Sequence, residues 1–216
     1  MHPDALDLYF QGMARWNKRW IPEHVAQARK FFERALEIDP ENVETLVGKA
    51  GVDLASAAFF LGDNPDALYV AAEAALIRAL SLAPQYAPAH MCLGALQFCT
   101  QRVTQGITEL EDALALNPNL AEAQALIGVA KVYVGRAAET ETHVHEALRL
   151  SPRDEGPHRW KSWVGLAKLL LGADAEALVW LRQSLNTNPN YPIAHFELAA
   201  ARRSGRTAAD GFQRSS

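Results

Sequence analysis

The sequence predicts an all-α solenoid, in which helix–turn–helix repeats stack side by side. Three observations support this prediction. A six-residue phrase that ends in proline occurs five times, at residues 35–40, 79–84, 113–118, 147–152 and 184–189. The successive prolines of this phrase are 44, 34, 34 and 37 residues apart. A glycine also stands 24 residues before three of these prolines, as Gly94, Gly128 and Gly165. Two spacings that recur together indicate a structural repeat.

The residue types in the phrase predict how each repeat folds. Proline cannot continue a helix and disfavours helical backbone in the residue before it, so Pro118 and Pro152 are each expected to end a second helix. Small residues such as Gly128 and Ala147 allow helix backbones to approach closely, and Leu148 supplies apolar surface for the next repeat. Because one hairpin cannot bury its own apolar face, we expect stability to come from stacking.

The pattern predicts about eleven helices in chain order. Repeat one (4–40) has helices near 4–18 and 22–38, and the second begins at Pro22, a residue favoured in a first turn. The next repeats span 43–84, 87–118, 121–152 and 156–189. Their helices are expected near 43–61 and 65–82, 87–100 and 104–116, 121–134 and 138–150, and 156–171 and 174–187. In a partial sixth repeat (192–216), a helix near 192–204 precedes Gly205, after which a second helix either begins or frays.

Two repeats depart from the common length. In repeat two, 34 residues separate Ala50 from Pro84, where the others have 24, so we expect each helix to gain about a turn and a half and to form a projecting hairpin. Repeat five has three extra residues around 153–157, which predict a wider turn. The sixth repeat lacks a complete polar capping unit. This predicts either a fragment of a longer protein or a partner that covers the end.

Residues 8–12 resemble a viral protease cleavage site that is used to remove purification tags. That site has Glu where this sequence has Leu6, however, and residues 5–19 fit a first helix with Gly12 in the small-residue position. The helical pattern favours native sequence over a cloning remnant for residues 1–12.

Composition and charge exclude several classes of protein. The 216 residues include 21 Lys+Arg and 25 Asp+Glu, a net charge of -4, which disfavours a general nucleic-acid binder. The longest apolar stretches, such as 57–61, are far shorter than the roughly 18 residues of a membrane span. Cys92 and Cys99 lie seven residues apart on a predicted helix, too far for a disulfide. These features predict a soluble cytoplasmic protein that binds neither membranes nor nucleic acid.

The repeats resemble the tetratricopeptide repeat (TPR), a helix–turn–helix unit of about 34 residues. The matching residues are Leu93-Gly94 with Ala113 and Pro118, Ile127-Gly128 with Ala147 and Pro152, and Val164-Gly165 with Ser184 and Pro189. The resemblance implies a right-handed superhelix of about five and a half repeats, which forms a single array over residues 1–216. The aromatic residues of the TPR first helix are mostly replaced here, by His90, Gln124 and Lys161 and by Gln97, Lys131 and Lys168.

A subgroup resemblance comes from the first repeat. Leu8-Tyr9 with Gly12, Trp16-Asn17-Lys18-Arg19, and Ala35-Leu36 with Ile38-Asp39-Pro40 are similar to a TPR region of bacterial multidomain proteins. In those proteins the region follows an adenylate/guanylate cyclase domain or a winged-helix DNA-binding domain. The resemblance implies a regulatory or partner-binding part of a larger signalling protein.

The sequence lacks the patterns of an active site or a metal centre. His143 and His145 are two residues apart on a helix and so point to different faces. His90 and His195 occupy an aromatic position of the repeat, where packing or hydrogen bonding is expected. The acidic group Glu109, Glu111 and Asp112 has the pattern of a solvated helix face. No phosphate loop, nucleophile elbow or HExxH motif occurs. We therefore predict no enzyme activity, no cofactor and no metal.

In TPR proteins the first helices line a concave groove where ligands lie. Transferred position by position, the resemblance places these side chains in the groove: Tyr9, Trp16, Val47, Leu54, Met91, Phe98, Glu122, Val129, Val132, Tyr133, Arg159, Ser162, Leu166, Leu169, Phe196 and Arg203. This mostly apolar set predicts a scaffold that binds an apolar peptide or helix. Two alternatives stay open: a homodimer formed through the lengthened hairpin and the C-terminal end, and a groove that senses a small molecule or lipid.

Overall fold

The computed structural model describes residues 2–18, 22–59, 61, 63–152 and 156–213. These residues form eleven α-helices and one short 3-10 turn, and they contain no strand. The α-helices are α1 (Pro3–Trp16), α2 (Pro22–Ile38), α3 (Val43–Ala58), α4 (Pro65–Leu82), α5 (Ala87–Cys99), α6 (Val103–Leu116), α7 (Ala121–Tyr133), α8 (Thr140–Leu150), α9 (Pro157–Leu170), α10 (Asp174–Thr187) and α11 (Pro192–Gln213). The predicted all-α class is confirmed. None of the described helices has the length and apolar character that crossing a membrane requires.

The chain divides into two compact units, Met1–Pro118 (unit 1) and Asn119–Ser216 (unit 2). Unit 1 contains α1 to α6, and unit 2 contains α7 to α11. In both units each first helix except α11 packs against the second helix of its own repeat, as α5 does against α6 and α9 against α10. This pairing is the helical hairpin that the sequence predicts.

The recurring prolines end the second helices. Each lies two residues after the last residue of α2, α4, α6, α8 or α10. The first residue of each recurring phrase is fully buried, as Ala35, Ala79, Ala113, Ala147 and Ser184. At these positions the second helix presents a small residue to its neighbours, so the sequence pattern corresponds to close contact between helices.

The regularly spaced glycines lie where two helices nearly touch. A Cβ atom added at Gly94 would lie 2.7 Å from Leu110 Cγ and 2.8 Å from the backbone oxygen of Gly106, both on α6. At Gly165 the added atom would lie 2.5 Å from Leu181 Cδ2 on α10. Even alanine is therefore too large at Gly94 unless the second helix moves, and at Gly165 it requires the Leu181 side chain to move.

In the lengthened repeat two, α4 has its predicted bounds of 65–82, whereas α3 ends at Ala58 and not near the predicted residue 61. Helices α3 and α4 have 16 and 18 residues, against 13 and 14 in α5 and α6, so they gain three and four residues. This is about one turn each, and not a turn and a half. The cause is local, because α3 already ends at Ala58 and the Asn64 side chain caps α4 by accepting from the Ala67 N–H at 3.1 Å. The remaining extra residues lie in the connection.

The C-terminal helix corrects a second prediction. Helix α11 runs without a break to Gln213, whereas the sequence analysis ended it near residue 204. A glycine inside a helix costs only about 1 kcal/mol relative to alanine, so Gly205 alone does not stop the helix. The wider turn predicted around 153–157 falls largely on residues 153–155, which lie outside the described residues.

Candidate functional site

The first helices form the tighter layer of each unit. In unit 1, α3 contacts both α1 and α5, and in unit 2, α9 contacts both α7 and α11. Among the described residues, no second helix contacts the second helix of the next repeat within the same unit. A stack that is close on one side and open on the other curves toward the close side. The first helices therefore form the closely packed side of each unit, and the residues predicted for the groove lie on these helices.

In unit 1 the predicted groove residues are all partly exposed. Tyr9 and Trp16 pack beside a core cluster that contains Phe32, and Val47 and Leu54 pack beside another that contains Leu96. Each side chain thus has one part in the core and another part facing solvent. We refer to the six partly exposed residues predicted for the groove here as the inner surface of unit 1: Tyr9, Trp16, Val47, Leu54, Met91 and Phe98.

In unit 2 the predicted groove residues differ widely in exposure. Val129 is only 2% exposed, so its side chain belongs to the core and not to an open surface. Leu169 is partly buried against a cluster that includes Leu181 and Leu198. Tyr133 and Phe196, in contrast, are 62% and 77% exposed. We refer to the other exposed or partly exposed residues predicted for the groove here, apart from Glu122 and Arg159, as the inner surface of unit 2: Val132, Tyr133, Leu166, Leu169, Phe196 and Arg203.

A cavity of about 360 Å³ lies on α11, and it is lined by Phe196, Ala199, Ala200 and Arg203. Ala199 occupies the same position after its proline, the tenth, as Gly94 and Gly128 do. Those two glycines are buried beneath the second helix of their own repeats, whereas Ala199 is exposed. One residue that lines the cavity, Ala199, therefore lies at a position that is covered by a helix in those two repeats.

Two of the three charged residues predicted for the groove of unit 2 pair with each other. Arg159 Nη2 lies 3.1 Å from Glu122 Oε1, and Trp160 Nε1 donates to Glu122 Oε2 at 2.9 Å. The Arg159 guanidinium also lies 5.7 Å from the centre of the Trp163 ring. Because the opposite charges neutralise each other, this part of the surface carries little net charge.

A second polar contact joins α9 to α11, and the sequence analysis selected only one of its two residues, Ser162. The Ser162 hydroxyl donates to Glu197, a residue that the sequence analysis did not select. Burial raises the pKa of Glu197 to about 7, although the hydrogen bond from Ser162 acts in the opposite direction. This carboxyl group therefore changes its charge near neutral pH.

Polar residues fill a position that is aromatic in most TPR repeats. Asp53, Gln97 and Lys131 each follow a recurring proline by 13 residues, and they are 0%, 9% and 6% exposed. Asp53 is held by Lys49 Nζ at 2.6 Å and by Arg29 Nη2 at 2.9 Å, the latter an ion pair without hydrogen-bond alignment. Sequence reasoning missed this pairing because Arg29 belongs to the preceding repeat.

His90 is a residue of α5, and its side chain contacts α6 and the connection that precedes α5. Its Nδ1 lies 2.7 Å from Glu109 Oε2, and its Nε2 lies 2.9 Å from the Pro84 carbonyl oxygen. Burial lowers the pKa of His90, but the contacts with Pro84 and Glu109 outweigh it and raise the pKa overall. His195 repeats the backbone contact, with Nε2 2.8 Å from the Pro189 oxygen. Both histidines thus have the hydrogen bonds predicted for this position.

The two cysteines are free thiols. Burial raises the pKa of Cys92 to about 12 and also raises that of Cys99. Both groups therefore remain protonated at neutral pH, a state that disfavours nucleophilic or metal-binding chemistry.

Comparison with solved structures shows the TPR fold. A thermophilic TPR protein from Thermus thermophilus, TTC0263, is 20% identical, with a TM-score of 0.71 over 91% of this chain and 98% of that one. Pseudomonas aeruginosa PilF is 16% identical, with a TM-score of 0.66 over 97% and 90% of the two chains. YrrB, described as a TPR protein with an unusual peptide-binding site, is 18% identical, with a TM-score of 0.55 over 89% and 91%. No protein-family model matches the chain, and no curated protein matches it.

Proposed function

We propose that this chain is a non-enzymatic interaction scaffold whose inner surfaces receive an apolar peptide or helix from a partner protein. The observation that carries this proposal is Phe196, an aromatic side chain that is 77% exposed on the first-helix layer, beside a cavity of about 360 Å³. Binding energy at interfaces concentrates in aromatic anchors of this kind. The peptide-binding site named for the structural neighbour YrrB is consistent with the same use of the fold.

The proposal includes a biological setting. The first repeat resembles the TPR region of bacterial multidomain proteins, so we place this chain in a larger cytoplasmic signalling protein with a cyclase or winged-helix domain. The net charge of -4 supports a protein partner over nucleic acid or an anionic membrane. The raised pKa values of Cys92 and Cys99 support a role without catalysis.

The test uses a peptide that is selected on the wild-type protein from a random-peptide display library. We expect Phe196→Asp to weaken its binding by about 30-fold, the loss typical of an interface hot spot. Val179→Asp is the matched control, because Val179 is 52% exposed but lies on α10, a second helix. Fluorescence anisotropy measures the binding, and circular dichroism checks that helicity is unchanged. Equal affinity of Phe196→Asp and wild type would contradict the proposal, as would an equal loss in Val179→Asp.

Phe196 is a better position for this test than Leu169, which is partly buried. Leu169 packs against the cluster of Leu181, Ala194, Leu198 and Ala201, so an aspartate there would also destabilise the fold. At Phe196 most of the ring faces solvent, and its replacement changes the surface more than the core.

A second candidate function is self-association through α4. Val70, Ala74 and Ile77 are exposed and fall on one face of this lengthened helix, with Val70 and Ile77 at 69% and 58% exposure. An isologous dimer would bury this face against its copy. Sedimentation velocity of wild type and of the double variant Val70→Asp, Ile77→Asp tests it. A dimer that the double variant dissociates supports the candidate, and a monomeric wild type excludes it.

A further inference from the structure

The structure brings together two features that look unrelated in the sequence. His90 on α5 faces Glu109 and Asp112, which lie three residues apart on α6 and so share a helix face. One potential ligand atom from each residue lies within 4.8 Å of the other two. His90 and Glu109 are partly buried and Asp112 is exposed, so the group is fixed on one side and open to solvent on the other.

The orientation of the imidazole places His90 Nδ1 against a carboxylate, a pair that can share either a proton or a metal ion. The Pro84 carbonyl can only accept a hydrogen bond, so His90 Nε2, at 2.9 Å, must donate its hydrogen there. In a neutral ring, Nδ1 would then present a lone pair to Glu109 Oε2 at 2.7 Å. This distance is that of a charge-assisted hydrogen bond, so a proton lies between the two atoms in this structure. A ring fixed through a backbone carbonyl is also the usual arrangement of a metal-bound histidine.

We propose that His90, Glu109 and Asp112 form a binding site for a divalent transition-metal ion, with Zn²⁺ as the best-fitting ion. Zinc accepts imidazole nitrogen together with carboxylate oxygen, and sites with three protein ligands complete their coordination with water. The metal replaces the proton on Nδ1, which passes to the solvent. Because the Asp112 side chain is exposed, it can move, and this movement brings the three ligand atoms to bonding distance. None of these residues belongs to an inner surface, so the proposal is independent of partner binding.

His195 provides a matched control inside the same protein. Its Nε2 contacts the Pro189 carbonyl oxygen at 2.8 Å, as His90 Nε2 contacts that of Pro84. Within the part of the chain that the structure describes, only the group around His90 assembles three potential ligands. Loss of His195 therefore removes the same kind of backbone contact without touching the proposed site.

The test is a titration of the full chain with ZnCl₂, followed by calorimetry and by long-range proton–nitrogen NMR of the histidine rings. We expect saturation at one ion per chain and a change at His90 Nδ1. Glu109→Gln and Asp112→Asn should each weaken binding about tenfold or more, and His195→Ala should bind as wild type does. His90→Ala should also lose binding, and if that variant does not fold, Asp112→Asn still tests the proposal. An unchanged His90 Nδ1 signal, or equal losses in His195→Ala and Asp112→Asn, would overturn the proposal.

Discussion

The close approach of α5 and α6 can be tested by adding a single methyl group at Gly94. In Gly94→Ala, the new Cβ would meet Leu110 Cγ at 2.7 Å and the Gly106 backbone oxygen at 2.8 Å. A leucine can change rotamer, but the backbone oxygen can move only if the two helices separate. Overpacking of this kind costs about 1–3 kcal/mol, and the backbone contact favours the upper half of that range. The higher helix propensity of alanine offsets about 1 kcal/mol of this loss of stability. The net expectation is a loss of about 1–2 kcal/mol.

Gly51→Ala is the matched control, because Gly51 also lies inside a first helix of unit 1. An added Cβ there would have only Trp16 within 4 Å, at an ordinary contact distance of 3.8 Å. The same propensity gain then acts alone, and we expect stabilisation by about 1 kcal/mol. Urea unfolding followed by circular dichroism should place the two variants on opposite sides of wild type. A Gly94→Ala protein as stable as Gly51→Ala would refute the argument that glycine sets the distance between these helices.

Three further predictions concern stability. Gln101 has a φ of 63°, a left-handed conformation that costs about 1–2 kcal/mol in non-glycine residues, so Gln101→Gly should raise the urea midpoint. Because burial raises the Glu197 pKa from 4.5 to about 7, the folded state should lose stability as pH rises through this range, and Glu197→Gln should remove that dependence in thermal unfolding. Asp53→Ala leaves Arg29 and Lys49 without their buried partner and should cost about 3 kcal/mol in urea, whereas a loss under about 1 kcal/mol would contradict the pairing.

The helix ends could be predicted where a residue type forbids helix, and not elsewhere. Each recurring proline lies two residues beyond a second helix, because proline is incompatible with a helix interior. Gly205 imposes no such restriction, since its cost of about 1 kcal/mol is small beside the gain from a continuous helix. The extra residues of repeat two were likewise assigned wrongly, in part, to a helix. The hydrophobic pattern does not distinguish the end of a helix from a connection that leads to a capping residue such as Asn64.

The repeat register correctly placed the predicted groove residues on first helices, but it could not predict their exposure. Val129 and Phe196 were selected by the same positional argument, yet they are 2% and 77% exposed. Exposure depends on which helix covers a residue, and this information lies in contacts between repeats. A signal for some polar contacts does exist in the sequence. Glu122 and Arg159 are 37 residues apart, about one repeat, and complementary charges at that separation mark side chains that meet on neighbouring first helices.

This fold persists at 16% to 20% identity to its structural neighbours, although polar residues occupy the aromatic positions. Close contact between helices requires only the small residues and the prolines, and these recur at regular spacing. An aromatic side chain gains stability from burial in any apolar surroundings, whereas a buried aspartate needs a charged partner. Asp53 therefore depends on Arg29 of the preceding repeat, and His90 depends on Glu109. The Asp53 contact makes repeat two specific for repeat one, so these two repeats cannot be exchanged as freely as repeats with aromatic residues, whereas the His90 contact lies within one repeat.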